Sequence, residues 1–273
     1  MRLDETRQSW NVATRGHNAH KRDQAAWLRE HSALFPEEVD LVGDVAGRRL
    51  LHILCNSGQD SLSWAKRGAD VTGVDLADEA VAFATQLSID SGIAARFVQS
   101  EAVAYLEGTE DRFDVVVGSY GCLPWLEDLP RFFAGVRRVL NSGGRAVFLE
   151  FHPLVWSFDE RFVATKDPYF SSEPFSAPVQ DYVGAAAGAL SPSGHIDVDV
   201  GDNPHAAHAY QQTVAAIVTA VIASGLRLET LTEYPFANGC KVMPGLVLDG
   251  RRYVVPAPYA SLPLMLGLRA TVG

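Results

Sequence analysis

Asp75 is the residue in this chain whose position most clearly suggests chemistry. It closes the run Val71-Thr72-Gly73-Val74, a short distance after the turn Cys55-Asn56-Ser57-Gly58. The stretch from Leu50 to Asp75 reads as an apolar strand, a tight turn, a helix and a second strand. An acid about 20 residues beyond such a turn is placed to accept hydrogen bonds from both hydroxyls of a ribose. The chain is therefore expected to bind a small molecule containing adenosine. In the dinucleotide fingerprint Leu54 and Asn56 would be glycines, and only Gly58 is present. A pyrophosphate needs close backbone approach at those positions, so NAD is disfavoured. A ligand carrying an amino acid where NAD carries phosphates suits the larger residues better. Two rival readings stay open, a nicotinamide-dependent oxidoreductase and a protein that binds the cofactor without catalysis.

Other residues have both a chemical and a structural reading. His152 directly follows a strand and precedes Pro153, at the rim where substrates enter, so it is a candidate for substrate binding or proton removal as well as a plain loop histidine. Glu101 opens a short helix, where an acid is expected from the helix dipole alone. His205 and His208 have the spacing of a metal pair but no third ligand nearby, and no metal is expected. Trp10, His17 and His20 lie in an amphipathic N-terminal segment. Trp125, Trp156 and Phe158 are candidates to wall an apolar pocket for a planar or aromatic acceptor.

The elements that would position these residues follow from periodicity. Residues 1–47 read as a helical cap ending near Pro36. From 48 to 151 strands and helices alternate: strands at 49–55, 70–75, 95–99, 113–118 and 144–151, helices at 59–67, 78–90, 101–107 and 128–140. Alternation of this kind predicts a doubly wound, mostly parallel α/β sheet. Apolar stripes at Ala80, Phe83, Ala84 and Leu87, and at Phe132, Phe133, Val136, Val139 and Leu140, should pack on that sheet. Asn141-Ser142-Gly143-Gly144 reads as a turn. Residues 152–209 hold six prolines and no period. A long irregular insertion after a strand's carboxyl end suggests a segment that shapes the substrate site. Regularity returns in 210–273, with a helix at 213–225 and strands at 226–233 and 262–269 that are expected to pair as an antiparallel edge.

Composition limits the partners. The 273 residues carry 33 acids against 23 bases, a net charge of −10 that would repel a nucleic acid backbone. No apolar run reaches the 18 or so residues of a bilayer span, and the first residues lack the apolar core of a signal peptide. Cys55, Cys122 and Cys240 lack metal-ligand spacing and are an odd number for a disulfide framework. A reduced, cytoplasmic setting is expected.

Taken together, these features resemble the class I S-adenosylmethionine-dependent methyltransferases over roughly 45–270, closest to a branch that acts on small molecules. The resemblance rests on Leu51-His52-Ile53-Leu54-Cys55, on Gly58-Gln59-Asp60 and on Gly68 through Gly73-Val74-Asp75. Phe113-Asp114-Val115-Val116 followed by Ser119-Tyr120, Gly143-Gly144-Arg145, Glu150-Phe151-His152-Pro153 and Gly225-Leu226 extend it. The chain departs from the family at Ser142, where a proline is usual, at His52, where an acid is usual, and at Gln212, where the similar branch has a histidine. The resemblance implies that Cys55, Asn56, Ser57 and Gly58 line the methionine and ribose of S-adenosylmethionine. It places Asp75 on the ribose, Leu76 on the adenine face, Glu101 and Ala102 at the adenine edge, and His20 in a cap closing over the cofactor. Ser119 and Tyr120 would sit beside the sulfonium and the acceptor. The implied reaction is in-line transfer of the methyl group to an N or O nucleophile, with His152 and Tyr120 as catalytic candidates.

Overall fold

Strand β1 (Arg49–Ile53) is apolar on both faces and has helices on either side, so a run of four consecutive buried residues, Leu50 to Ile53, is what a central parallel strand requires. The computed structural model describes residues 2–165, 169–171 and 173–273. Helices α1 (Arg2–Ala19), α2 (Gln24–Glu30) and α3 (Pro36–Val42) precede β1. The core then runs α4 (Gln59–Lys66), β2 (Asp70–Asp75), α5 (Asp78–Ser91), β3 (Arg96–Gln99), α6 (Ala102–Gly108), β4 (Phe113–Ser119), α7 (Leu129–Val139) and β5 (Leu140–Phe151). Beyond it come β6 (Phe175–Ala177), α8 (Tyr182–Ala185), β7 (Ala207–Ala209), α9 (Val214–Ala223), β8 (Arg227–Tyr234), β9 (Phe236–Asn238), β10 (Val247–Asp249), β11 (Arg252–Val254) and β12 (Met265–Thr271).

The main sheet has seven strands in the order β3-β2-β1-β4-β5-β12-β8. β1 pairs in parallel with both β2 and β4, so the strand order reverses about β1. Ligands of open α/β sheets bind outside the carboxyl ends at such a switch point. The edge strand β8 pairs antiparallel with β12, which is also antiparallel to β5. The sheet is thus the doubly wound, mostly parallel one expected. One local expectation changes: residues 141–144 form no free turn but lie within β5, and the residues of β4 opposite them shift register. Asn141 is tied there to the Asp114 carboxylate at 2.9 Å, and this holds the segment in the sheet.

The α7 stripe buries Phe132 and Phe133 against Phe148 of β5, with ring centroids 5.2–5.7 Å apart and edge-on. Truncating any one of these rings would cost about 3–5 kcal/mol. This anchor fixes β4 and β5, whose carboxyl ends carry Ser119, Tyr120, Glu150 and His152.

Residues 178–208 lack a period because their order comes from α1 and not from themselves. The Ser9 hydroxyl oxygen accepts from the Val179 N–H, and Asn203 donates to the Ser9 carbonyl and to the Val179 carbonyl. Ile196 N–H donates to the His20 carbonyl, and Arg22 N–H to the Gly194 carbonyl. Trp10 meets Trp125 edge-on at 5.2 Å, above a small cluster of Ala13, Val179 and Ala207. On its other side α1 is tied to the start of α5 through Arg7 and Asn11 on Asp78 and Arg15 on Glu79. The N-terminal helix is therefore held between the core and the insertion, above the switch point. Residues 166–168 and 172 of the insertion lie outside the described residues.

Candidate active site

The turn after β1 keeps the shape of a glycine turn without the glycines. Leu54 and Asn56 both adopt left-handed backbone, at φ 53° and 47°. Such a conformation is uncommon for a residue with a side chain and tends to persist where function requires it. Asn56 compensates locally, since its Oδ1 accepts from the Ser57 N–H at 2.6 Å and the Ser57 hydroxyl at 2.9 Å. Gly58, at φ 80°, has no substitute: a Cβ there would lie 2.7 Å from the Ala84 Cβ and 2.9 Å from the Phe97 ring. Helix α4 can therefore start flush against α5 and β3.

Asp75 faces this turn. Its Oδ2 accepts from the Asn56 N–H at 2.7 Å and its Oδ1 from the Ala77 N–H at 2.9 Å. Each carboxylate oxygen accommodates two donors, so each has room for a ribose hydroxyl. Burial raises the Asp75 carboxyl above its usual range against the lowering effect of the Ala77, Asn56 and Leu76 backbone. A carboxylate held out of water with spare acceptor capacity fits the diol of an adenosine. Leu76 is half-buried beside it, and Ala102 is buried at the start of α6. Cys55 is buried, and its N–H donates to the Val74 carbonyl.

Three candidates carry structural tasks. Both oxygens of Glu101 cap α6, accepting from Val103 N–H at 2.9 Å and Ala104 N–H at 2.6 Å, which gives the carboxylate a structural task while each oxygen keeps room for a second donor. The His20 ring bridges the Ile196 carbonyl at 2.9 Å and Asp181 at 2.7 Å, so both nitrogens hold the insertion and neither is free for the cofactor. His152 accepts the Leu154 N–H on Nδ1 at 3.2 Å, which makes Nε2 the protonated nitrogen, 2.9 Å from Glu233. No lone pair is left on this ring to take a proton, and burial lowers its proton affinity further. His152 therefore fixes the chain after β5 and is not placed as a base.

The aromatic candidates also disperse. Trp125 packs on Trp10, Phe158 on the core beside β5, and Trp156 is 47% exposed. His208 is bound to Ser176 and Glu5. Among the described residues no group of three or more His, Cys, Asp or Glu is placed to hold a metal ion.

Around Ser119 and Tyr120 the structure assembles residues that periodicity did not single out. The Tyr120 hydroxyl accepts from the Asn238 amide at 2.9 Å, while its ring lies over Phe151 at 5.8 Å and meets Phe35 edge-on at 6.2 Å. Glu38, 2% exposed at the start of α3, is held through Oε2 by the Phe35 N–H at 2.7 Å, and the Tyr120 and Ser119 hydroxyls act on its proton affinity. Asp60, Lys21 and Arg251 complete the group, with charges close enough to influence one another. Arg251 also lies 4.4 Å over the Phe35 ring. Tyr182 of the insertion lies against the His17 ring of α1 at 4.1 Å, and Asn56 acts on the proton affinity of its hydroxyl. Asn18 of α1 donates to the Ser57 hydroxyl at 2.8 Å, and Gln59 and Gln24 extend that network under the cap. Asp60 was visible in Gly58-Gln59-Asp60. Glu38 looks like an ordinary acid in a first helical turn, and Asn238 and Arg251 come from a segment without a periodic signal. A separate open groove of about 440 Å³, lined by Glu37, Asp40, Leu41, Glu229, Thr230, Tyr234 and Arg269, includes none of these residues.

The strand order, the switch point at β1 and the acid ending β2 define the class I S-adenosylmethionine-dependent methyltransferase fold. Residues 51–148 match a family model described as Methyltransferase domain. Curated relatives include the Ubiquinone biosynthesis O-methyltransferase of Pseudomonas putida (strain GB-1), 32% identical over 124 residues, which are 44% of this chain and 52% of the relative. The chain thus spans about half the length of that relative. Among solved structures, an S-adenosylmethionine-dependent methyltransferase from Mesorhizobium loti matches with TM-score 0.56 and 20% identity, covering 89% of this chain and 99% of its own. One from Methanosarcina mazei matches with TM-score 0.55 and 19% identity, covering 87% and 97%. S-adenosylmethionine is the cofactor of this class, and the Asp75 turn has the chemistry to hold its adenosine.

Proposed function

We propose that the chain transfers the methyl group of S-adenosylmethionine to an N or O nucleophile of a small molecule. The observation that carries this reading is the left-handed turn at Leu54 and Asn56 facing Asp75, set beside a buried polar group at the end of β4. The cofactor supplies an activated methyl on a sulfonium. The chain then has to bind, align and exclude water, because the leaving group needs no further activation. Asp75 would hold the ribose, Leu76 and Ala102 would flank the adenine, and the Cys55–Gly58 backbone would run along the methionine. Tyr120, fixed by Asn238 and two aromatic neighbours, would orient the acceptor. The aromatic surroundings of Tyr120 favour a planar acceptor, and the name of the Pseudomonas putida relative favours oxygen over nitrogen. The net charge of −10 argues against a nucleic acid acceptor. Among the described residues no helix is long and apolar enough to cross a membrane.

Calorimetric titration with S-adenosylmethionine, S-adenosylhomocysteine and NAD tests the cofactor reading. Both sulfur ligands should bind and NAD should not, and Asp75→Ala should weaken the sulfur ligands at least tenfold, the loss of about 1.4 kcal/mol expected for a charged hydrogen bond. Binding of NAD alone would reassign the site to hydride transfer. Tritium transfer from labelled cofactor to small phenols, catechols and amines then tests catalysis.

A further inference from the structure

We infer, resting on the methyl-transfer reading above, that Glu38 is the group that receives the acceptor's proton at the carboxyl end of β4. The position carries the argument. Glu38 is brought to Ser119 and Tyr120 not by the sheet but by α3, whose first turn holds the carboxylate in place through the Phe35 N–H. It is therefore fixed beside Tyr120, which follows β4 and whose ring meets Phe35 edge-on at 6.2 Å, next to the switch point where the cofactor's reactive end belongs. His152, the histidine nearest to this role in sequence, has no lone pair free.

The surroundings suit a proton acceptor. The groups that act electrostatically on Glu38 are the Ser119 and Tyr120 hydroxyls at and just after the end of β4, Asp60 from α4 and Arg251 from the segment between β10 and β11, while Lys21 after α1 acts on Asp60. Burial, then the like charge of Asp60, pushes the Glu38 carboxyl up to about 8. A base poised near the working pH is the efficient choice for proton removal. In the step itself the acceptor's heteroatom forms a bond to the methyl carbon and the carbon–sulfur bond breaks. That electron pair stays on sulfur, giving the neutral thioether. The acceptor's proton passes to the Glu38 carboxylate, directly or through the Tyr120 hydroxyl. The positive charge leaves sulfur as the carboxylate is neutralised, so the buried site keeps its net charge through the step.

This coupling is measurable without knowing the acceptor, because S-adenosylmethionine carries a charge on sulfur that S-adenosylhomocysteine lacks. Both ligands are titrated calorimetrically at pH 8 in two buffers of different ionisation enthalpy, which counts protons released on binding. The cationic ligand should expel roughly half a proton more than the neutral one, since Glu38 is near half-protonated there. In Glu38→Gln that difference should vanish while S-adenosylhomocysteine still binds. An equal proton count for the two ligands in the native chain, or the same difference persisting in Glu38→Gln, overturns the proposal. If Glu38→Gln does not fold, Asp60→Asn serves instead: losing the like charge lowers the proton affinity of Glu38 and should diminish the difference at pH 8, and an undiminished difference overturns the proposal. Failure of the native chain to bind either ligand would instead remove the methyl-transfer reading itself.

Discussion

Glu150 shows how one buried acid can set a pH dependence. Its Oε1 accepts from the Cys122 and Leu123 N–H groups, both at 3.1 Å, and from the Cys122 thiol, while its Oε2 is buried without a partner. Burial raises it to about 7, against roughly 4.3 for a glutamate in an unfolded chain. The sign follows from proton counting. Between those values the folded chain holds the proton and the unfolded chain has lost it, so stability falls as pH rises from about 4 to 7. Glu150→Gln keeps an oxygen for the two N–H donors and removes the charge. It should leave stability near pH 4 almost unchanged and raise it by about 1–3 kcal/mol at pH 8. Urea titrations at the two pH values check this, and an equal effect at both would show that Glu150 is not the titrating group.

At the scale of elements, the contact between α1 and the insertion is held by two histidines of opposite behaviour. For His20, burial lowers its proton affinity, but the Ile196 carbonyl and Asp181 outweigh it and the net shift is upward. For His17, 3% exposed with Nδ1 unpartnered, burial wins and lowers it to about 4, against the Gln180 carbonyl. The stabilisation from His20 is fully present below about 6.5 and lost as pH rises through its raised value. That from a neutral His17 is present above about 6.5 and lost as pH falls toward 4. Docking of residues 178–197 on α1 should therefore be tightest near pH 6.5. Hydrogen exchange in that segment should rise on both sides, with His20→Gln flattening the alkaline limb and His17→Gln the acid limb. None of this pairing was legible in the sequence, because residues 178–208 take their order from Ser9, His20 and Arg22, far away along the chain. The core was legible: β2 was read at 70–75 and α5 at 78–90 because both bury continuous or striped apolar sets that have a period. β12 was read three residues early, since the alternation at Leu262 and Leu264 continues into an extended segment before the paired strand at Met265. The site was legible only where it coincides with the strand–turn–helix rhythm, at Cys55–Gly58 and Asp75. Glu38, Lys21, Asn238 and Arg251 meet there through tertiary packing alone, from segments whose local sequence marks a helix start, a helix end and two turns.

For the whole molecule, the decisive feature is that the walls of the proposed site come from segments spread over nearly the entire chain: Lys21 and Asn18 from the N-terminal helix region, Glu38 from α3, Asn56 and Asp75 from the core, Tyr182 from the insertion and Arg251 from the last third. Side-chain hydrogen bonds tie these walls together around one apolar cluster that itself runs from α3 through the core strands and the insertion to the last third of the chain. A ligand contacting several of them adds its binding free energy to the folded state only, and makes opening of any one wall costlier. With S-adenosylhomocysteine at 100 times its dissociation constant, that linkage is worth about 2.7 kcal/mol. For a chain of this size the thermal midpoint should rise by about 5 °C. If the walls close as one unit, protection from hydrogen exchange should appear together in α1, in residues 178–197 and in the turn after β1, although only the last would lie against the ribose in the proposed site. Asp75→Ala, with affinity weakened tenfold, should cut the rise to about half at the same ligand concentration. A midpoint that rises while α1 and the insertion stay as exchange-labile as in the free protein would mean that the core alone binds, and that cap and insertion serve the acceptor and not the cofactor.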